Sequence, residues 1–155
     1  MIINYPDTAT IFDIGIKSIF LAGPTPRDSS VASWRPEALK ILEERGFTGM
    51  VFVPERSDWK AQFNYDDQVG WELSGLSIST VILFWVPRCM LKMPALTTNV
   101  EFGMNIKNGN VIYGRPDWAT SIKYLDYIYK LYKNESPCNT LESTIERALH
   151  EIEKK

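Results

Sequence analysis

Short apolar runs alternate with amphipathic stretches along most of the chain. Residues 18–22, 50–54, 80–86 and 111–113 are runs rich in aliphatic and aromatic side chains, bounded by glycine, proline or polar residues, as buried strands are. The run at 80–86 is almost wholly apolar and suits a central position in a sheet covered on both faces. Residues 33–45 predict a helix with Pro36 in its first turn, an apolar face of Ala38, Leu39, Ile41 and Leu42, and Gly46 as its stop. Further helices are predicted over 65–78, 97–107, 119–133 and 140–154, the last two separated by the turn-rich stretch 134–139. Gly70 and Gly75 weaken the 65–78 helix and point to close packing there. Tyr124, Tyr127, Tyr129 and Tyr132 cover two faces of the 119–133 helix, one of them core and the other suited to an oligomer contact.

Alternation of this kind predicts an α/β domain with a mostly parallel sheet. The 155 residues read as one domain, with 1–17 as an arm or extra strand (centred on 11–16) and 134–155 as a C-terminal helical extension. Ligands of such sheets bind at the carboxyl ends of the strands, so the loops after Ala22, Pro54, Val86 and Tyr113 are where chemistry is expected.

Composition narrows that chemistry. A formal net charge of −2 does not suit a chain that neutralises nucleic-acid phosphates, so a nucleotide partner would be a small ligand rather than a polymer. Cys89 and Cys138 have no metal or redox spacing, and a reducing, cytoplasmic setting is expected. No signal peptide is read in the first residues, and no apolar run is long enough for a bilayer. The one histidine, His150, falls on a polar terminal helix, which argues against a zinc site or a Ser-His-Asp triad. Acid–base or covalent chemistry then falls to carboxylates, hydroxyls, Arg, Lys or Tyr.

Four segments have residues suited to it. After the 18–22 strand comes Gly23-Pro24-Thr25-Pro26-Arg27-Asp28, followed by Ser29 and Ser30. Its glycine allows close approach of backbone to a ligand, and Arg27 with the serines suits an anionic or hydroxyl-rich group; a plain surface turn explains the same residues. In Tyr65-Asp66-Asp67-Gln68-Val69-Gly70-Trp71-Glu72, the two aspartates complement a helix N-terminus. Glu72 is two turns in, where that explanation lapses. It is either a half-buried acid with a raised pKa or a solvated side chain.

The third segment is Thr97-Thr98-Asn99-Val100-Glu101-Phe102-Gly103. Thr98-x-x-Glu101 reads first as a capping box. A carboxylate at a helix start would also stay ionised, as a nucleophile must, and Asn105 is one turn further on the same face. The fourth is Trp85-Val86-Pro87-Arg88, where Trp85 either stacks on a flat base or fills core, and Arg88 faces either a pocket or solvent.

In order, Ile19-Phe20-Leu21-Ala22-Gly23-Pro24, Trp71-Glu72, Val81-Ile82-Leu83-Phe84-Trp85 and Asn99-Val100-Glu101-Phe102-Gly103 resemble the nucleoside 2-deoxyribosyltransferase family, which includes related nucleotide N-glycosidases. The resemblance implies a flavodoxin-like three-layer sandwich with four to five strands. It implies a double displacement in which Glu101 attacks the anomeric carbon and Glu72 serves the leaving base. Gly23, Pro24, Arg27, Asp28, Trp85, Arg88, Asn99 and Asn105 would then contact the nucleoside or nucleotide. No metal or organic cofactor is implied, and a homo-oligomer is, because relatives complete each pocket with a neighbour. One departure stands out: where transferases keep an aspartate shortly before the nucleophile, this chain has Pro94-Ala95-Leu96. Hydrolysis instead of transfer, on a nucleoside or its 5′-monophosphate, fits the same residues. A non-catalytic nucleotide sensor on the same fold is the rival of a different class.

Overall fold

The computed structural model describes residues 1–8, 15–27, 30–57 and 64–155. Within them the strands are β1 (Ile2–Asn4), β2 (Ser18–Ala22), β3 (Met50–Phe52), β4 (Val81–Trp85) and β5 (Val111–Gly114). The helices are α1 (Arg35–Glu44), α2 (Tyr65–Ile78), α3 (Leu96–Asn105), α4 (Lys123–Lys133) and α5 (Leu141–Glu153). All strands run parallel in the order β1-β3-β2-β4-β5. Phe20 on β2 pairs with Phe52 on one side and Ile82 on the other. The chain therefore leaves β2 for β3, then crosses back to β4 on the opposite side of β2. The crevice beyond the ends of β2 and β4 is the reversal point where such sheets bind ligands.

Alternation along the strands builds two cores. Ile19, Leu21, Val51, Val81, Leu83, Trp85 and Ile112 face α1 and α5, which contribute Ala38, Ile41, Leu42, Leu141, Ile145, Ala148 and Ile152. Phe20, Ala22, Phe52, Ile82, Phe84 and Tyr113 face α2, α3 and α4, which contribute Trp71, Leu76, Phe102, Leu125 and Tyr129. This is the three-layer, flavodoxin-like sandwich expected from sequence, with a five-stranded sheet.

The N-terminal strand is Ile2–Asn4, earlier in the chain than the 11–16 segment expected; residues 11–14 of that segment lie outside the described residues. As a three-residue edge strand with only Asn4 buried, β1 leaves almost no apolar alternation to read. Residues 134–155 are more than an extension, since α5 covers one face of the sheet over β4 and β5 and packs against α1. Of the four tyrosines near α4, Tyr129 is buried with its ring 5.5 Å from that of Tyr113, and Tyr124, Tyr127 and Tyr132 are exposed. Gly75 does permit close packing, for a Cβ there would be 2.9 Å from the Phe20 ring; around Gly70 there is open space.

The seal between α5 and β5 is tight at one point. A Cβ on Gly114 would stand 2.0 Å from Thr144 Oγ1, which donates to Thr140 O at 2.7 Å. Gly114→Ala is expected to cost about 1–3 kcal/mol, a drop of several degrees in thermal midpoint. Adding Thr144→Ala opens the space and should return part of the loss, as measured by calorimetry on the single and double variants. Equal losses with and without Thr144 would refute this account of the contact.

Candidate active site

Beyond β2 the backbone turns at Gly23, with φ +149°. A Cβ there would be 2.1 Å from Trp85 O at the end of β4, so glycine is required where the two central strands end side by side. The following loop is held by the start of α1. Trp34 Nε1 donates to Pro24 O at 3.1 Å. Arg35, only 1% exposed, donates from Nε to Leu21 O (3.1 Å), from Nη2 to Gly23 O (2.8 Å), and from Nη1 to Thr25 Oγ1 (3.0 Å) and Glu55 Oε1 (2.5 Å). Its guanidinium also lies 4.8 Å from the Trp34 ring centroid. Glu55 follows β3 and accepts a second bond from Ser33 Oγ at 2.7 Å. One cation thus ties together the ends of β2 and β3.

Above these loops is an open cavity of about 430 Å³, a volume suited to a small organic ligand. Gly23, Pro24 and Arg27 line it from the loop after β2, and Pro54, Glu55 and Arg56 from the segment after β3. Glu72 enters from α2, while Thr97 and Glu101 enter from α3. Each acid is next to a buried aromatic. Trp71 packs 6.0 Å from Phe20 and 5.8 Å from Phe52, and Phe102 packs 5.2 Å from Phe84 and 5.3 Å from Tyr113, all between ring centroids. With those rings in the core, the neighbouring carboxylates are carried at the cavity wall.

The electrostatics differ from the expectation of a capped, ionised Glu101. Helix α3 begins after Ala95, which has left-handed dihedrals and no side-chain cap, so Thr98 is not the N-cap. Glu101 is the sixth helical residue, past the turn where the helix dipole acts most strongly. Burial and then the charge of Glu72 push its carboxyl up to about 7, with Arg35 opposing. The Glu72 carboxyl is also raised by burial, against the hydrogen bond from Gln68 Nε2 (3.0 Å) and the charge of Arg35. Both carboxyls are thus raised by burial, and Glu101 is raised further by the charge of Glu72.

The other expected contacts divide. Gly23, Pro24 and Arg27 line the cavity; Asp28 lies outside the described residues. Trp85 does not reach it: β4 turns this side chain to the opposite face, among the residues packed on α1 and α5. Arg88 is 3% exposed and donates from Nη1 to Ser121 O (2.7 Å) and from Nη2 to Ala95 O (3.3 Å) and Asn99 Oδ1. Arg88 and Asn99 therefore fasten the start of α3 and face a separate hollow between α3 and α4. Asn105 donates to Glu101 O at 2.8 Å, supporting the backbone of that residue from below. The loop after β5 also stays away, with Arg115 and Asp117 on another hollow. Among the described residues, no cluster of three or more His, Cys, Asp or Glu is arranged to hold a metal ion.

Sequence reasoning missed Arg35 and Glu55. A signal existed for the first, because a cation at the opening position of a helix opposes the dipole and calls for another reason to be there.

Residues 16–118 match a protein-family model described as nucleoside 2-deoxyribosyltransferase like. No curated protein matches the chain. The matched stretch contains both acids, Arg35, Glu55 and every described loop that lines the cavity.

Since the folded Glu101 carboxyl titrates near 7, above its ordinary value of 4.5, its favourable contribution to folding is complete below about pH 4.5 and is lost as the pH rises through 7. Glu101→Gln removes that loss. At pH 8 the variant is expected to melt a few degrees above the parent, on the order of 2 kcal/mol after allowance for solvent in the cavity. The two melting curves should converge toward pH 4.5. A variant less stable than the parent at pH 8 would contradict the raised value.

Proposed function

The chain belongs to the nucleoside 2-deoxyribosyltransferase-like family, and from that premise we propose that it cleaves the N-glycosidic bond of a small nucleoside and passes the sugar to a second base. In this reading a Glu101 oxygen attacks C1′, the C1′–N bond breaks, and its electron pair leaves with the base. The proton held between the two acids passes from Glu101 to Glu72 as Glu101 becomes the nucleophile, and Glu72 delivers it to the departing nitrogen. An incoming base then attacks C1′, releases the Glu101 carboxylate and gives its own proton to Glu72. Two displacements return the starting configuration, as in retaining glycosidases. The observation that carries this reading is the pair of half-buried carboxyls, from two helices, meeting in one cavity at the strand ends. Thr97, exposed on the cavity wall, is the side chain nearest in sequence to take the sugar-orienting role that transferases give to an aspartate.

A second acceptor, water, turns the same steps into hydrolysis. The guanidinium groups of Arg27 and Arg56 on the cavity favour a 5′-monophosphate as substrate of that reaction. Assembly with another copy is also part of the reading. Leu96, Val100 and Met104 leave an apolar stripe along α3 that is about 60% exposed, and Tyr65 and Leu73 line the cavity opposite it from α2. A neighbour covering both stripes would exclude water from the reacting atoms.

Incubation with a deoxynucleoside and a labelled second base is expected to give the exchanged nucleoside; free sugar alone would assign hydrolysis. Glu101→Gln should lower either rate by several orders of magnitude while still binding nucleoside. A parent protein that binds nucleosides in calorimetry and never cleaves them would overturn the enzyme in favour of a sensor. In sedimentation, the parent is expected as a dimer or larger, and Val100→Glu as a smaller species.

A further inference from the structure

Nothing in the two-carboxylate scheme requires the buried ion pair beneath it. Arg35 and Glu55 nevertheless line the same cavity as Glu72 and Glu101, and their 2.5 Å contact is the shortest ion pair among the described residues. Burying a guanidinium is costly, and a plain loop anchor needs no charge. We propose that the Arg35–Glu55 pair is a positioning device for the acids: Arg35 supplies positive charge to Glu101 and Glu72, and Glu55 limits how much of it they receive.

Three observations carry this inference, which rests on the reading of Glu101 given above. First, among the described residues Glu55 is the one anionic partner of Arg35, whose other side-chain hydrogen bonds go to neutral oxygens of Leu21, Gly23 and Thr25. Second, the interaction is reciprocal. Burial draws Arg35 below the ordinary guanidinium value; Glu55 opposes this most, and Glu101 and Glu72 oppose it as well. Third, Arg35 is fixed by five hydrogen-bond and stacking partners from three segments, so its distance to the acids is set by the fold rather than by a mobile side chain. Among the described residues, the charged groups that line the cavity with Glu101 are then Glu72 on α2, Arg35 on α1, Glu55 and Arg56 after β3, and Arg27 after β2. Helix α3 contributes no other charge.

Arg35 and Glu55 are thus positioning residues and not catalytic ones. Removing them should move Glu101 in opposite directions. Glu55→Gln leaves the charge of Arg35 undivided and should lower the Glu101 titration below about 7. Arg35→Gln removes the cation, strands Glu55 and should raise it. The double variant should return toward the parent. A merely structural pair would change stability in each case and shift the titration in neither.

The test is carbon-detected NMR titration of carboxyl-labelled protein, full chain, for the parent, E55Q, R35Q and the double variant, with E101Q assigning the resonance. Opposite shifts in the two single variants uphold the proposal. Unchanged midpoints, or shifts in the same direction, overturn it. If R35Q does not fold, E55Q alone decides: a lowered midpoint supports the proposal, an unchanged or raised one overturns it. Base exchange or hydrolysis measured across pH on the same samples separates the two claims. A rate profile that follows the NMR midpoint supports both, and a profile indifferent to a moved midpoint removes Glu101 from the reaction while leaving the electrostatic control intact.

Discussion

A single buried guanidinium ties together the loops at the carboxyl end of this sheet. Arg35 reaches from the first residue of α1 to carbonyls at the end of β2, to a hydroxyl in the next loop and to a carboxylate after β3. Backbone carbonyls that have left a parallel sheet need donors, and in this crevice few are at hand. The planar fork of arginine serves several at once, in a fixed geometry that lysine could not reproduce. The loops it joins line the cavity.

The acids depend on a different constraint. Glu72 and Glu101 are each one residue from a ring sunk in the core, Trp71 and Phe102. Since neighbouring helix positions point about 100° apart, a ring fixed inward sets its neighbour toward the helix flank. Packing energy thereby becomes side-chain orientation. The cost is that both carboxyls are partly removed from water, and it is this, more than any helix dipole, that governs their ionisation.

The strands were legible because burial on both faces writes itself as runs of Ile, Leu, Val and Phe, and most helix limits agree within a few residues. Glu72 was legible because a carboxylate beside an aromatic, past the first turn, has no local explanation, whereas Glu101 had a capping-box explanation and was singled out by the resemblance of its segment. Other features depended on contacts that residue types alone do not encode. Which face of β4 receives Trp85 is decided by register, and alternation places it with α1 and α5. Thr98 and Glu101 have capping-box spacing, yet the helix begins earlier, after Ala95, where Arg88 donates to the carbonyl of Ala95 and to the side chain of Asn99. Arg35 and Glu55 are twenty residues apart in sequence and meet only because β2 and β3 are neighbours.

The position of α5 has a consequence for biosynthesis. This helix covers β4 and β5, in the middle and at one edge of the sheet, yet it is the last of the described elements to be translated. Until it leaves the ribosome, Val81, Leu83, Trp85 and Ile112 lack the cover that α5 gives them on that side. Between the emergence of β4 and that of α5 the nascent chain therefore carries an apolar surface of the kind that holding chaperones bind.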